Sequence, residues 1–421
     1  MNRKFLPMLL LLPVLDAQAL SLREAANKAL EHDPRVHAAG AAIRGARAQI
    51  EEARAGYRPD VKVLFSGGRS DLETSAPFPV SGGRWPNSES LEVSQPLYTG
   101  GRTGALVDAA GATAESAHQQ QRDTGGKIIL AAVTAYLDVV RDRSIVALNQ
   151  SSVTALAQAA ADAQKRYEAG EATTTDVAQA QARLAEAQAG VQRALAQLHI
   201  AESGYRRVVG DPPQQLREEW PVVATASTLE EAIGLSAHAP FVLEAEANAL
   251  AAQSQIGAVR AEYQPRVSLD GSALTQDNTE FGYDRLNTWA VQIKLALPIY
   301  QGGLGRAKTE EADARAEQAR YLAEDARAQY AESAAREWAS LQAAEQVIHA
   351  YESQVQAADL ALDGVRKEQD AGTRTTLDLL NAQREQLAAQ INLLGARRDR
   401  AVAAFRLLAV CGKLEPEAVP D

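Results

Sequence analysis

Apolar and polar residues alternate with a period of two in two stretches of the chain. The second stretch shows this most clearly, because Gln292 and Lys294 separate apolar residues that share the opposite face. Those apolar residues are Trp289, Val291, Ile293, Leu295 and Leu297. Sustained alternation indicates β-strands with one apolar and one polar face. We therefore predict two hairpins of strands, at about residues 60–99 and 266–299.

The centre of each predicted hairpin is rich in turn-forming residues. Prolines and glycines accumulate between Asp71 and Asn87, and Gly282 lies between Gln276 and Asn287. Such residues interrupt regular structure. We therefore predict a loop in each of these two segments.

The pattern changes to helical spacing after each predicted hairpin. Apolar residues become sparse and recur three or four positions apart, with alanine filling most of the remaining stripe. This spacing is typical of α-helices that pack closely together. It predicts long helices from Gly101 to about Tyr167 and from Gly303 to about Gln369. At about 1.5 Å per residue, each helix would be on the order of 100 Å long.

Each long helix is followed by a turn and a return helix. Gly170 and Gly372 stand where the glycine of a C-terminal cap is expected. The return helices are predicted at Thr174–Val209 and Thr375–Leu408. Shorter helices, beginning after Ser21 in the first half, should precede the hairpins.

The whole pattern occurs twice. Three segments return at a nearly constant offset: Arg54–Val61 as Arg260–Val267, Pro96–Gly101 as Pro298–Gly303, and Gly170–Gln181 as Gly372–Gln383. A fixed-offset repeat indicates one structural unit used twice. We therefore divide the chain into repeat 1 (20–210), a linker (211–227), repeat 2 (228–410) and a C-terminal tail (411–421). The long helix pairs of the two repeats should occupy residues 101–209 and 303–408.

The N-terminus has the features of a secretory signal peptide. Positive charges at Arg3 and Lys4 precede a short apolar run that ends in Ala17-Gln18-Ala19. The run is too short to span about 30 Å of hydrocarbon. We predict a cleaved signal peptide at residues 1–19 rather than a membrane anchor.

Composition narrows the possible functions. The formal net charge of −11 argues against nucleic acid as a partner. The chain has one cysteine, Cys411, and six scattered histidines, and neither residue type occurs in a catalytic or metal-binding motif. We therefore expect no enzymatic activity, no metal and no cofactor.

The predicted elements require an assembly of several chains. Two hairpins give four strands with an apolar face, which cannot close a barrel, and open strand edges are not viable in lipid. Three chains would supply twelve strands, a reasonable number for a barrel. The long helices are too polar on one side to lie in lipid. The sequence therefore predicts an α+β membrane protein with a membrane barrel and a projecting tube of antiparallel coiled-coil helices.

Several short motifs resemble those of the TolC-like outer-membrane efflux proteins over essentially the whole mature chain. They are Tyr-x-Pro before both hairpins, Pro-x-Tyr-x-Gly-Gly after them, Thr134–Val139, and the Gly-x5-Asp turns at Gly170 and Gly372. The resemblance implies a homotrimer with a twelve-stranded barrel in outer-membrane lipid and a helical tunnel in the periplasm. It also implies an exit duct of a tripartite efflux or type I secretion system, docked to a periplasmic adaptor and an inner-membrane ABC or RND pump.

The resemblance assigns gate roles to residues near the two turns. Arg374 matches the family's gating arginine. Thr175 and Asp176 match the polar residues that this arginine meets on a neighbouring helix pair. Asp378 matches one position of an acidic ring at the constriction.

Two positions near the turns depart from the family pattern. Asn381 stands in place of a second acidic residue, and Gln369 in place of a tyrosine that helps to lock the gate. These departures predict a looser gate with a weaker cation site. The turn glycines Gly170 and Gly372 are caps, and the resemblance implies that the adaptor docks beside them.

Aromatic residues cluster near the predicted strand ends. They are Tyr57, Trp85, Tyr98, Tyr263, Trp289 and Tyr300. A girdle at the membrane interface explains them, and packing within the fold is the alternative.

A different class of protein, a periplasmic coiled-coil adaptor or tether without a pore, would account for the long helices. It would not account for alternating strands at the same place in both repeats. Because such a tether should be soluble without detergent, detergent dependence distinguishes the two hypotheses.

Overall fold

The computed structural model describes residues 19–74, 80–280 and 283–421. The predicted signal peptide at 1–19 lies outside the described residues except for its last position. Within the described ranges the helices are α1 (Leu22–His32), α2 (Pro34–Ala55), α3 (Arg102–Glu168), α4 (Thr174–Val209), α5 (Leu229–Ser236), α6 (Pro240–Ala261), α7 (Leu304–Asp370) and α8 (Thr376–Val410). The strands are β1 (Asp60–Gly67), β2 (Ser70–Thr74), β3 (Val80–Arg84), β4 (Asn87–Tyr98), β5 (Arg266–Glu280) and β6 (Tyr283–Ala296).

The long helices and their return helices confirm the prediction to within about two residues, the usual uncertainty of helix ends. Helices α3 and α7 each contain 67 residues. The first helix begins at a capping box, in which Ser21 Oγ accepts from the Glu24 amide and Glu24 Oε2 accepts from the Ser21 amide. Among the described helices, none has an apolar stretch long enough to cross a membrane.

The two predicted loops are wrong where the structure describes them. Within Asp71–Asn87, strands β2 and β3 pair antiparallel, while residues 75–79 of this segment lie outside the described residues. Within Gln276–Asn287, strands β5 and β6 continue to Glu280 and from Tyr283. Most residues of these segments are polar or glycine, so the sustained alternation that marks a half-buried strand is missing from them.

An ion pair accompanies the extension of β5 and β6. Asp277 lies opposite Arg285 in the register of the two strands. The Arg285 Nε donates to Asp277 Oδ1 at 2.8 Å. Cross-strand ion pairs and backbone hydrogen bonds stabilise strand pairing without an apolar face, which is why the hydrophobic pattern did not reveal this part of the hairpin.

The chain forms two compact units that do not coincide with the two sequence repeats. Unit 1 contains the residues up to Val36, Thr124–Ala239 and Tyr330–Asp421, and unit 2 contains His37–Asp123 and Pro240–Gln329. Each unit therefore combines corresponding segments of both repeats.

Unit 2 contains a four-stranded antiparallel sheet in the order β1-β4-β5-β6. The central β4–β5 pairing joins the hairpins of the two repeats, and Ser94 Oγ donates across it to Asp270 Oδ1 at 2.6 Å. The predicted apolar face is exposed, with Trp289 at 81% and Ile293 at 72% of full exposure. Strands β1 and β6 form the two edges of this sheet.

Unit 1 contains the main hydrophobic core of the described chain. It packs α1, the middle of α3 and the ends of α4 and α8 around Tyr136 and Phe405, which are 2% and 0% exposed. The Tyr136 hydroxyl lies 2.9 Å from the Leu20 carbonyl oxygen and 3.0 Å from that of Arg217. Burial raises the pKa of this phenol to about 12. The core therefore fixes the linker and the chain's first described residues to the helices.

Candidate gate at two helical hairpins

Two helical hairpins, α3–α4 and α7–α8, have their turns in unit 1, and these turns share the same backbone geometry. Gly170 and Gly372 adopt φ values of +77° and +76°, a region that glycine reaches without steric cost. The Glu171 amide donates to the Arg166 carbonyl at 2.8 Å, and the Thr373 amide donates to the Glu368 carbonyl at 2.9 Å. These bonds satisfy carbonyl groups at the helix ends, so both glycines are C-terminal caps as predicted.

Both return helices begin with a capping box. The Oδ2 atom of Asp176 accepts from the Thr173 amide at 2.9 Å and from its hydroxyl at 2.8 Å. The Oδ2 atom of Asp378 accepts from the Thr375 amide at 3.0 Å and from its hydroxyl at 2.7 Å. Hydrogen bonds from Thr173 and from Thr375 hold the pKa values of Asp176 and Asp378 below the usual aspartate range. Both predicted gate acids therefore stay ionised and use one carboxylate oxygen within their own hairpin.

Arg374 is paired inside its own hairpin. Its Nε donates to Glu368 Oε2 at 2.8 Å, across the turn between α7 and α8. This hydrogen bond raises the pKa of the guanidinium. Within the described residues, Arg374 thus forms its ion pair with Glu368 of its own hairpin. The resemblance implied Thr175 and Asp176 on a neighbouring helix pair.

The remaining predicted gate positions lie close to the same turn. Gln369 is half-buried, and its Nε2 lies 3.5 Å from the Thr376 hydroxyl. Asn381 is also half-buried, almost one turn along α8 from Asp378. Thr175 is exposed in the first turn of α4.

Apolar contacts bring the two hairpins together below their turns. Leu380 of α8 is 1% exposed and belongs to a cluster of residues from α3 and α4. The other buried members are Leu156, Ala163, Val177 and Ala180. The small side chains of this cluster let the helices approach closely. Leu380 and Glu368 are functional candidates that the sequence reasoning missed, although Glu368 could have been found from its charge opposite to Arg374 across a short turn.

The predicted interfacial aromatics fall into two groups. The exposed group contains Tyr57, Trp85, Tyr98, Trp289 and Tyr300. Tyr263 differs, because its hydroxyl is buried and its ring leaves no room for a side chain at Gly305. Packing within the fold, the alternative explanation, accounts for Tyr263.

Comparison with known proteins relates this architecture to outer-membrane channels. The family model described as outer membrane efflux protein matches residues 25–211 and 235–413. The outer membrane efflux protein BepC of Brucella suis biovar 1 (strain 1330) is 30% identical, covering 92% of this chain and 84% of its own. The outer membrane protein TolC of Vibrio cholerae is 25% identical, and the alignment covers 96% of this chain and 93% of the TolC chain.

A solved structure confirms the fold. The outer membrane protein VceC of Vibrio cholerae has a TM-score of 0.79 and 22% identity, covering 93% of this chain and 96% of its own. The family match and the likeness to BepC identify the chain as an efflux protein of the outer membrane rather than an enzyme. The chain belongs to the outer membrane efflux protein family.

Proposed function

We propose that three copies of this chain form a gated outer-membrane channel, in which their sheets close a twelve-stranded barrel and their long helices form a periplasmic tunnel. The observation that carries this proposal is the sheet of unit 2, which exposes its apolar face and has β1 and β6 as edges. Unpaired edges cost several kcal/mol per group in lipid. Pairing β1 of one copy with β6 of the next removes every edge of the barrel sheet.

The gate lies at the two hairpin turns of each copy. In the closed channel Arg374 contacts Thr175 and Asp176 of a neighbouring helix pair, and Asp378 contributes to an acidic ring. Gln369 and Asn381 make the closure looser than in relatives with a tyrosine and a second acid there. A weaker block by multivalent cations follows, because Asn381 carries no charge.

The channel is the exit duct of a larger export system. A periplasmic adaptor docks beside Gly170 and Gly372, and an inner-membrane ABC or RND pump supplies the energy. The exposed aromatics contact the lipid interface, where Trp and Tyr are enriched. Cargo selection resides in the pump, so the channel can serve either efflux or type I secretion.

The alternative, a tether without a pore, does not explain why the apolar face of the sheet is exposed. A tether gives no role to the apolar side chains around Trp289 and Ile293, which lie on one face of a sheet. A channel places them in lipid. This contrast favours the channel.

Single-channel conductance in planar bilayers tests the pore and the gate together. We expect a small conductance from the wild-type protein and a larger one from Arg374→Ser, because the substitution removes the donor that closes the gate. A large conductance that Arg374→Ser leaves unchanged would keep the pore but move the gate elsewhere. The absence of conductance from both proteins, with a chain that stays soluble without detergent, would favour the tether.

A further inference from the structure

The two hairpin turns carry ion pairs of opposite polarity. In the first turn the end of α3 supplies the cation, with Arg166 Nε 4.0 Å from Glu171 Oε2. In the second turn the end of α7 supplies the anion, Glu368, and the loop supplies the cation, Arg374. Arg166 and Glu368 are equivalent positions of the repeat, since each lies four residues before its cap glycine.

The backbone of the second turn holds Glu368 and Arg374 together. The Glu368 carbonyl accepts from both the amide and the hydroxyl of Thr373, each at 2.9 Å. Arg374 directly follows Thr373, so its side chain starts beside the Glu368 carboxylate. The pair therefore forms within one short turn and needs no contact with another helix pair.

The same arginine is the proposed donor of the closed gate. A turn of the Arg374 guanidinium toward Thr175 and Asp176 on a neighbouring helix pair breaks or distorts its Nε bond to Glu368. The Asp176 acceptor is also partly used, because its Oδ2 already accepts two hydrogen bonds from Thr173. A contact that exists in the open state but is lost on closure shifts the equilibrium toward opening.

We propose that Glu368 is a positioning residue that retains Arg374 on its own hairpin and thereby makes the closed gate easier to open. This inference rests on the proposed gate role of Arg374. It assigns the looseness of the gate to a residue that competes for the gating arginine, in addition to the changes at Gln369 and Asn381.

Single-channel recording of Glu368→Gln tests the proposal, because glutamine keeps the size of the side chain and removes its charge. We expect the open probability to fall about two- to fivefold, the range that follows from losing an exposed ion pair. The recording should use about 0.1 M salt, where charges interact over about 10 Å. The effect should shrink at about 1 M salt, where the Debye length is about 3 Å.

Asp370→Asn is the matched control, since it removes the same charge from an exposed position of the same hairpin. It should leave the open probability near that of the wild type. Glu368→Gln should also have no further effect in an Arg374→Ser background, because the two residues act through one contact. Thermal unfolding of the detergent-solubilised protein should show that Glu368→Gln is as stable as the control.

Any of four outcomes would overturn the proposal. An open probability that rises in Glu368→Gln would make Glu368 part of the lock rather than its competitor. Equal changes of the open probability in Glu368→Gln and Asp370→Asn would mean that the net charge near the turn matters and not the contact with Arg374. If the open probability is unchanged in Glu368→Gln but changes in Arg374→Ser, the role of Glu368 is rejected and the proposed gate stands. If neither protein forms a pore, both proposals are rejected.

Discussion

The sheet of unit 2 and the core of unit 1 use large apolar side chains in opposite ways. In the core, Tyr136 and Phe405 are buried by helices of the same chain. In the sheet, Trp289 and Ile293 remain exposed although they follow a regular apolar pattern. A single chain therefore satisfies its core but leaves the sheet face without a partner, as expected for a surface that meets lipid.

The largest effect should come from Phe405→Ala in the core. Replacing a buried phenylalanine by alanine typically lowers the free energy of unfolding by about 3–5 kcal/mol. Ile293→Ala, on the exposed sheet face, should cost much less in detergent-solubilised protein. Denaturant titration of both variants measures the difference, and similar losses would contradict the contrast between the two regions.

A charge on the sheet face should act on membrane insertion. Ile293→Arg should cost about 2–4 kcal/mol per copy if the residue faces the middle of the bilayer. Gln292→Arg, on the other face of the same strand, is the matched control and should insert normally. Fractionation of the outer membrane measures both, and equal recovery of the two variants would argue against lipid contact at Ile293.

The stability of the hairpin turns should depend on the capping hydrogen bonds rather than on burial or on contact with lipid. Thr375→Ala removes the acceptor for the Asp378 amide and should destabilise the start of α8 by about 1 kcal/mol. Thr173→Ala should have a similar effect on α4, because its capping box has the same geometry. Hydrogen exchange of the two first turns measures this, and a difference between them would show that the turns are not equivalent.

Acidification should produce the smallest change at these turns. Asp176 and Asp378 have lowered pKa values in the folded state, so their contribution to stability is present above the ordinary aspartate pKa of about 4. It should be lost as the pH falls through the lower folded values. Hydrogen exchange of the first turns of α4 and α8 at decreasing pH should show this loss, and Thr375→Ala should reduce it at α8. A loss that begins near neutral pH would contradict these assignments.

Local signals explain what could be predicted from the sequence. The cap glycines and the alternation around Ile293 depend on neighbouring residues, and the structure has them as expected. Strands β2 and β3, the extension of β5 and β6, and the packing of Tyr263 on Gly305 depend on contacts between segments that no local pattern records. In the candidate gate, the family pattern identified Arg374 but not its partner Glu368, although opposite charges across a short turn are a local signal.

The mass of the protein extracted from outer membranes in mild detergent tests the central claim most directly. We predict a particle with three copies of the chain, because the exposed face and the edge strands β1 and β6 require neighbouring copies to close a barrel. Native mass spectrometry gives this number without assumptions about shape. A single copy that remains dispersed in detergent, or in buffer without it, would contradict the account.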